Sequence, residues 1–180
     1  MVKIKVVNLV ITTDLKHKLY LEKIASTLSN TQYEPEQFPG LVMRIKEPKT
    51  SALLFTSGKI VCTGAKSIDS AKKAIHKIID YLKKVDIKIT IEPILTTQNL
   101  VGAGELGFEL NLNALAMKLR NVEYEPEQFP GLVYKIKHPF NASFLLFSNG
   151  KLVCTGTKNE VEMNECLDQL VKDLEKISKK

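Results

Sequence analysis

At 180 residues the chain is long enough for one domain or two small ones. Its 44% hydrophobic and 26% charged residues are the balance of a soluble globular protein. No apolar run reaches the ~18 residues of a membrane span and no extended apolar N-terminal core suggests a secretory leader, so an intracellular protein without a membrane partner is expected. Cys62, Cys154 and Cys166 form no CxxC, which argues against a disulfide framework and a zinc ribbon and leaves no metal or cofactor to expect. A net charge of +6 suits a polyanionic partner.

In chain order, Lys3 to Thr12 is a β-rich run. Leu21, Ile24, Ala25 and Leu28 then recur at helical spacing and predict a short helix. Tyr33–Gly40 carries two prolines and a glycine and predicts a turn between strands. Leu41–Lys46 reads as a strand stopped by Pro48, and Ala52–Thr56 with Lys59–Ala65 as a hairpin around Ser57-Gly58. Ser67 is positioned to cap a long helix with Ile68, Ala71, Ile75, Ile78, Ile79 and Leu82 on one face. The second such helix starts at Asn159, with Glu162 as capping-box partner, and is expected to bury Met163, Leu167, Leu170, Val171, Leu174 and Ile177.

The second helix belongs to a second copy of the whole pattern. Tyr33–Val42 recurs unchanged as Tyr124–Val133, 91 residues on. Extended without gaps, Asn8–Pro48 matches Asn99–Pro139 at 22 of 41 positions, and after one inserted residue Ser51–Lys66 matches Ser143–Lys158 at 11 of 16. Two copies make no solenoid; they predict two similar halves, 1–90 and 91–180, related by a pseudo-twofold axis like a fused dimer. The halves differ in field, with net charges of +8 and −2.

Strand alternation puts Val7, Leu9 and Ile11 on one face of the first strand and Asn8, Val10 and Thr12 on the other. In the hairpin Leu53 and Phe55 lie opposite Ala52, Leu54 and Thr56, and Val61 and Thr63 opposite Ile60 and Cys62. Both sheet faces are therefore apolar, yet four helices can cover only one. An uncovered apolar face marks an interaction site, and Lys59, Lys66, Lys151 and Lys158 give it a cationic rim. Apolar floor, cationic rim and twofold repetition together fit a duplex nucleic acid. The alternative is a homodimeric interaction or ligand-carrier protein using the open sheet face. An enzyme is not supported. His17, His76 and His138 share no motif, Cys62 and Cys154 read as core, and Gly102-Ala103-Gly104 lacks the GxxxxGK[ST] of a phosphate loop.

The sequence resembles the TATA-box-binding protein family in its archaeal form. The resemblance covers nearly the whole chain and is carried by Val7-Asn8-Leu9-Val10, Tyr33–Val42, Glu47-Pro48-Lys49-Thr50, Ser57–Lys66 and their second copies. It implies an α+β fold: an internally duplicated saddle, a curved ten-stranded antiparallel sheet with four helices on the convex face. It implies a general initiation factor that binds and bends an A·T-rich promoter element through the minor groove, and partnership with transcription factor B and the RNA polymerase assembly. Kinking of the duplex by inserted side chains is a property of that family, as is work inside an archaeal cell.

Residue by residue, the family's dyad asparagines match Asn8 and Asn99, and its groove floor matches Val10, Val61, Thr63, Val101, Val153 and Thr155, with Leu53 and Leu145 beside them. Its kinking phenylalanine pairs match Phe38 with Phe55 and Phe129 with Phe147. Its phosphate contacts match Arg44, Lys59, Lys66, Lys135, Lys151 and Lys158. Its contacts to transcription factor B match Glu125, Glu127 and Gln128. The nearly symmetric face is expected to accept a site in both orientations, and the free protein to be able to dimerise.

Overall fold

Each repeat folds into the same series of elements, because each carries the same alternations, turns and caps. The computed structural model describes residues 2–178. The first series is β1 (Lys3–Asp14), α1 (Leu21–Thr27), β2 (Thr31–Gln32), β3 (Leu41–Ile45), β4 (Thr50–Leu54), β5 (Lys59–Ala65) and α2 (Ile68–Lys83). The second is β6 (Thr96–Glu105), α3 (Leu112–Lys118), β7 (Val122–Glu123), β8 (Leu132–Ile136), β9 (Ala142–Leu146), β10 (Lys151–Thr157) and α4 (Glu160–Ser178). The expected strand, helix, four strands, helix is thus found twice.

The compact units do not coincide with the repeats. The first unit runs from Asn8 to Gln98, so it includes the start of β6. The second begins at Asn99 and also takes the strand residues up to Val7. Within the first unit the strand order is β2-β3-β4-β5-β1, and within the second β6-β10-β9-β8-β7. All pairings within the units are antiparallel.

In the first unit, Leu41, Met43, Leu54, Ile60 and Cys62 on the strands bury against Ala74, Ile75, Ile78 and Leu82 of α2. Each fully buried Leu or Ile contributes roughly 1.5–3 kcal/mol, so this layer holds helix to sheet. The second unit repeats it, with Leu132, Phe144, Leu146, Leu152 and Cys154 buried along with Met163, Cys166, Leu167, Leu170 and Leu174. Ser67 Oγ accepts from the Ser70 N–H at 3.1 Å and Asn159 Oδ1 from the Glu162 N–H at 2.8 Å. Both helices are capped as expected, at about 1 kcal/mol each. Glu162 reaches back one residue further than a capping box does, accepting from the Lys158 N–H at 3.1 Å.

Four residues depart from the sequence expectation. Ile68, the first residue of α2, is 43% exposed; the buried stripe starts a turn later, at Ala71, and includes Ala74. In α4, Val171 and Ile177 are only half-buried, while Cys166 is buried. Val7 is 41% exposed and does not share a covered face with Leu9 and Ile11. Val7 lies on the stretch of β1 that belongs to the second unit. In that stretch Ile4 is half-buried, packed toward Gly102, and Lys3, Lys5 and Val7 are exposed.

Candidate nucleic-acid interface

In each unit the face of the strands opposite the helices presents the alternate residues. In the first unit Val10, Leu53, Phe55, Val61 and Thr63 are half-buried; in the second, Val101, Leu145, Phe147, Val153 and Thr155 are the same. These side chains rest on one another without a covering layer from their own unit. The floor residues expected from the sequence therefore come together, one set per unit.

A glycine bulge positions each asparagine. The register of β1 on β5 passes from Leu9↔Ala65 to Val10↔Thr63, leaving Gly64 as the extra residue, with φ +101°. Only glycine adopts that backbone freely. Its N–H donates to Asn8 Oδ1 at 2.7 Å. Gly156, also at φ +101°, donates to Asn99 Oδ1 at 2.9 Å. The amide oxygen is thereby fixed by a backbone donor, which sets the flip of each side chain. The Nδ2 groups touch Thr63 Oγ1 at 3.3 Å and Thr155 Oγ1 at 3.1 Å and keep a second N–H for a ligand.

The phenylalanines form two edge-to-face pairs. Phe38 and Phe55 have ring centroids 6.1 Å apart at 63°, and Phe129 and Phe147 6.1 Å apart at 73°, in the range where such pairs are attractive. Phe38 and Phe129 are 43% and 46% exposed, so each pair presents one free ring. Gly40 and Gly131 lie beneath. A Cβ at Gly40 stands 2.6 Å from Phe38 Cε2, and one at Gly131 stands 2.9 Å from Phe129 Cε1 and 3.1 Å from Phe147 Cε1.

Arg44, Lys59, Lys66, Lys135, Lys151 and Lys158 are all exposed. Two have side-chain partners. Arg44 Nη2 is 3.4 Å from Gln32 Oε1, and Lys135 Nζ is 3.9 Å from Glu123 Oε1. The second is an exposed pair of little strength. Glu125, Glu127 and Gln128 are exposed in a turn closed by the Gln128 and Phe129 N–H groups donating to the Glu125 carbonyl at 2.9 Å. The identical first turn is closed the same way at 3.0 Å on Glu34.

Other parts of the site were not read from the sequence. Lys3 and Lys5 line a hollow of the second unit with Ala103, Phe147, Lys151 and Val153, and Ile94 and Thr96 one of the first unit with Thr12, Phe55, Lys59 and Val61. The 91-residue offset pairs Lys3 with Ile94 and Lys5 with Thr96, a signal available in the repeat. Gly102 and Gly104 are strand residues, not a phosphate loop: a Cβ on Gly102 meets Met163 Sδ and one on Gly104 meets the Lys3 carbonyl.

Nothing in the site is an activated nucleophile. Cys62, Cys154 and Cys166 are free and buried. Burial raises all three thiols, Cys154 to about 12 with Cys166 adding to the effect, which keeps them in the unreactive protonated form. Among the described residues no helix is long and apolar enough to cross a membrane.

The family model described as "Transcription factor TFIID (or TATA-binding protein, TBP)" matches the chain twice, over residues 3–85 and 94–177. A TATA-box-binding protein of Picrophilus torridus is 51% identical over 98% of this chain and 97% of its own length. One of Thermococcus kodakarensis is 47% identical over 97% of this chain and 92% of its own. The solved Methanococcus jannaschii TBP superposes with a TM-score of 0.90 at 44% identity, covering 97% of this chain and 99% of that one. These matches place the chain among DNA-binding general transcription factors, which are not enzymes, and show the fold class expected from the sequence. The chain belongs to the TATA-box-binding protein family.

Proposed function

We propose that this chain binds an A·T-rich TATA element through the minor groove, bends it, and recruits transcription factor B and RNA polymerase in an archaeal cell. Each repeat, 1–90 and 91–180, handles one half of the site. The observation that carries the reading is the fixed asparagine in each unit. Its oxygen is held by a glycine N–H, so what it offers outward is a donor. The minor-groove edge of A·T pairs offers only acceptors, whereas a G·C pair adds the guanine amino donor. Around each asparagine lie methyl groups of Val and Thr, which fit A·T edges and leave a guanine amino group without an acceptor. Sequence preference then arises from exclusion and from the deformability of the duplex.

Insertion of the phenylalanine pairs accounts for bending. Unstacking a base step costs a few kcal/mol. Completing the burial of two half-exposed rings recovers roughly 1.5–3 kcal/mol per kink, which offsets a large part of that cost. The basic residues neutralise phosphates along the rim, which positions the protein without reading sequence.

The reading is tested by gel shift at one salt concentration, with a TATA-containing duplex and a G·C-rich duplex of equal length. The A·T-rich duplex is expected to bind at least about a hundredfold more tightly. Equal affinities, or a homodimer that no duplex displaces, would overturn it. Gly131→Ala probes the wedge without touching a contacting side chain. Its Cβ pushes on Leu145, Phe129 and Phe147 at 2.9, 2.9 and 3.1 Å, and an off-rotamer side chain costs about 0.5–1.5 kcal/mol. The expected result is affinity lowered by up to about tenfold and a smaller bend by fluorescence energy transfer between the duplex ends, with the melting temperature little changed.

A further inference from the structure

We propose that Lys3 and Lys5 are additional phosphate-binding residues, lent by the N-terminal strand to the second unit, and that they make the two halves of the nucleic-acid face unequal. The proposal rests on the duplex-binding reading above.

Lys3 and Lys5 precede the first recognisable repeat residue, Asn8, yet the structure assigns their strand segment to the second unit. Two glycines seat it there. The Lys3 carbonyl lies where a Cβ on Gly104 stands, with Ile4 Cα 3.0 Å away, and Ile4 Cδ1 is 3.0 Å from the Cβ position of Gly102. A larger residue at 104 meets the backbone of the segment itself, whereas one at 102 meets side chains of Met163 and Ile4. With the backbone held and Ile4 turned toward α4, alternation sends Lys3 and Lys5 to the open face. There they are exposed and line one hollow with Phe147, Lys151 and Val153.

The equivalent place in the first unit is built differently. Thr13 stands where the second unit has Gly104, and its hydroxyl donates to the Ile94 carbonyl at 2.8 Å. The carbonyls of Ile94 and Lys3 occupy matching positions, but the side chains do not match: Ile94 and Thr96 replace the two lysines. The acidic neighbours are the same in kind, Asp14 in one hollow and Glu105 in the other. The hollow of the second unit therefore carries two net positive charges (Lys3, Lys5 and Lys151 against Glu105) and that of the first none (Lys59 against Asp14). Elsewhere the rim is matched, Lys66 with Lys158 and Arg44 with Lys135, apart from the exposed Lys135–Glu123 pair, which salt screens.

A cationic hollow beside a groove-inserting ring fits the phosphates that flank the inserted step. Two further contacts steepen the salt dependence of binding by roughly 0.9 each and place them at one end of the site only. The near symmetry expected from the sequence then gives way to a built-in difference between the halves, which any duplex with unlike ends can read.

The test measures affinity for one TATA-containing duplex across a series of salt concentrations, with the wild-type chain, Lys3→Gln/Lys5→Gln and Ile94→Lys/Thr96→Lys. The lysine-deficient variant is expected to show a slope shallower by about 1.8 and the lysine-added variant one steeper by a similar amount. Ethylation interference on an asymmetric duplex is expected to lose signal at one end in the first variant and gain it at the other in the second. An unchanged slope, or interference that changes equally at both ends, overturns the proposal while leaving duplex binding in place. Absence of any wild-type complex instead overturns the reading on which it rests.

Discussion

Replacing Phe129 and Phe147 together by alanine is expected to lower affinity for a TATA duplex by about 10–10²-fold and to abolish the kink at that end. The figure follows from the roughly 1.5–3 kcal/mol that the two half-exposed rings together recover on leaving water, at about 1.4 kcal/mol per tenfold. The fold should survive, because Phe129 is 46% exposed and Phe147 half-buried. The control lies three residues away. Phe144 shares a strand region with Phe147 but points to the helices and is fully buried. Phe144→Ala is expected to cost about 3–5 kcal/mol of stability. Thermal unfolding with gel shift separates the two: the double variant should melt near the wild type and fail to bend DNA, and Phe144→Ala should melt lower. Unfolding of the double variant would show that its rings belong to the core.

That contrast between neighbouring phenylalanines was legible in the sequence, because a strand sends successive side chains to opposite faces and the repeat states the pattern twice. The hairpins, the caps at Ser67 and Asn159 and the burial of Cys62 and Cys154 were legible too, but the burial of Cys166 was not. Nor was the passage of β1 between units. Lys3 to Thr12 reads as one continuous strand, and nothing local marks the point at which its covered side changes. Val7 was therefore assigned to the wrong face, and Lys3 and Lys5 were not seen as part of a site whose other members lie about 100–150 residues away. Gly64 and Gly156 left a trace, being identical in both copies, but a glycine in a strand pattern signals a bulge without saying which side chain its N–H will hold. Lys59, Lys66, Lys151 and Lys158 were legible as a rim from their places at the hairpin ends, whereas Arg44 and Lys135 came from resemblance alone.

Charge reversal at Glu125 and Glu127, to lysine in both cases, is expected to reduce recruitment of transcription factor B by about a hundredfold or more and to leave the binary complex with DNA nearly unchanged. Both glutamates are exposed, and they belong to a turn rather than to either asparagine site. Placing like charges across an interface costs several kcal/mol, enough for a loss of that size. The identical change in the first turn, Glu34→Lys/Glu36→Lys, should have little effect, although the two turns share ten residues and the same hydrogen bonds. What distinguishes them is their surroundings. The second unit has Glu123 where the first has Gln32, and α4 opens with Glu160, Glu162 and Glu165 where α2 has Ile68, Ser70 and Lys73. Lys135 offsets part of the Glu123 charge at 3.9 Å, so the helix carries more of the difference. A basic partner gains encounter rate and register from the acidic half and is opposed by the lysines of the other. Supershift of a preformed DNA complex with increasing factor measures both variants side by side. Equal losses from the two turns would mean that the field does not choose between them.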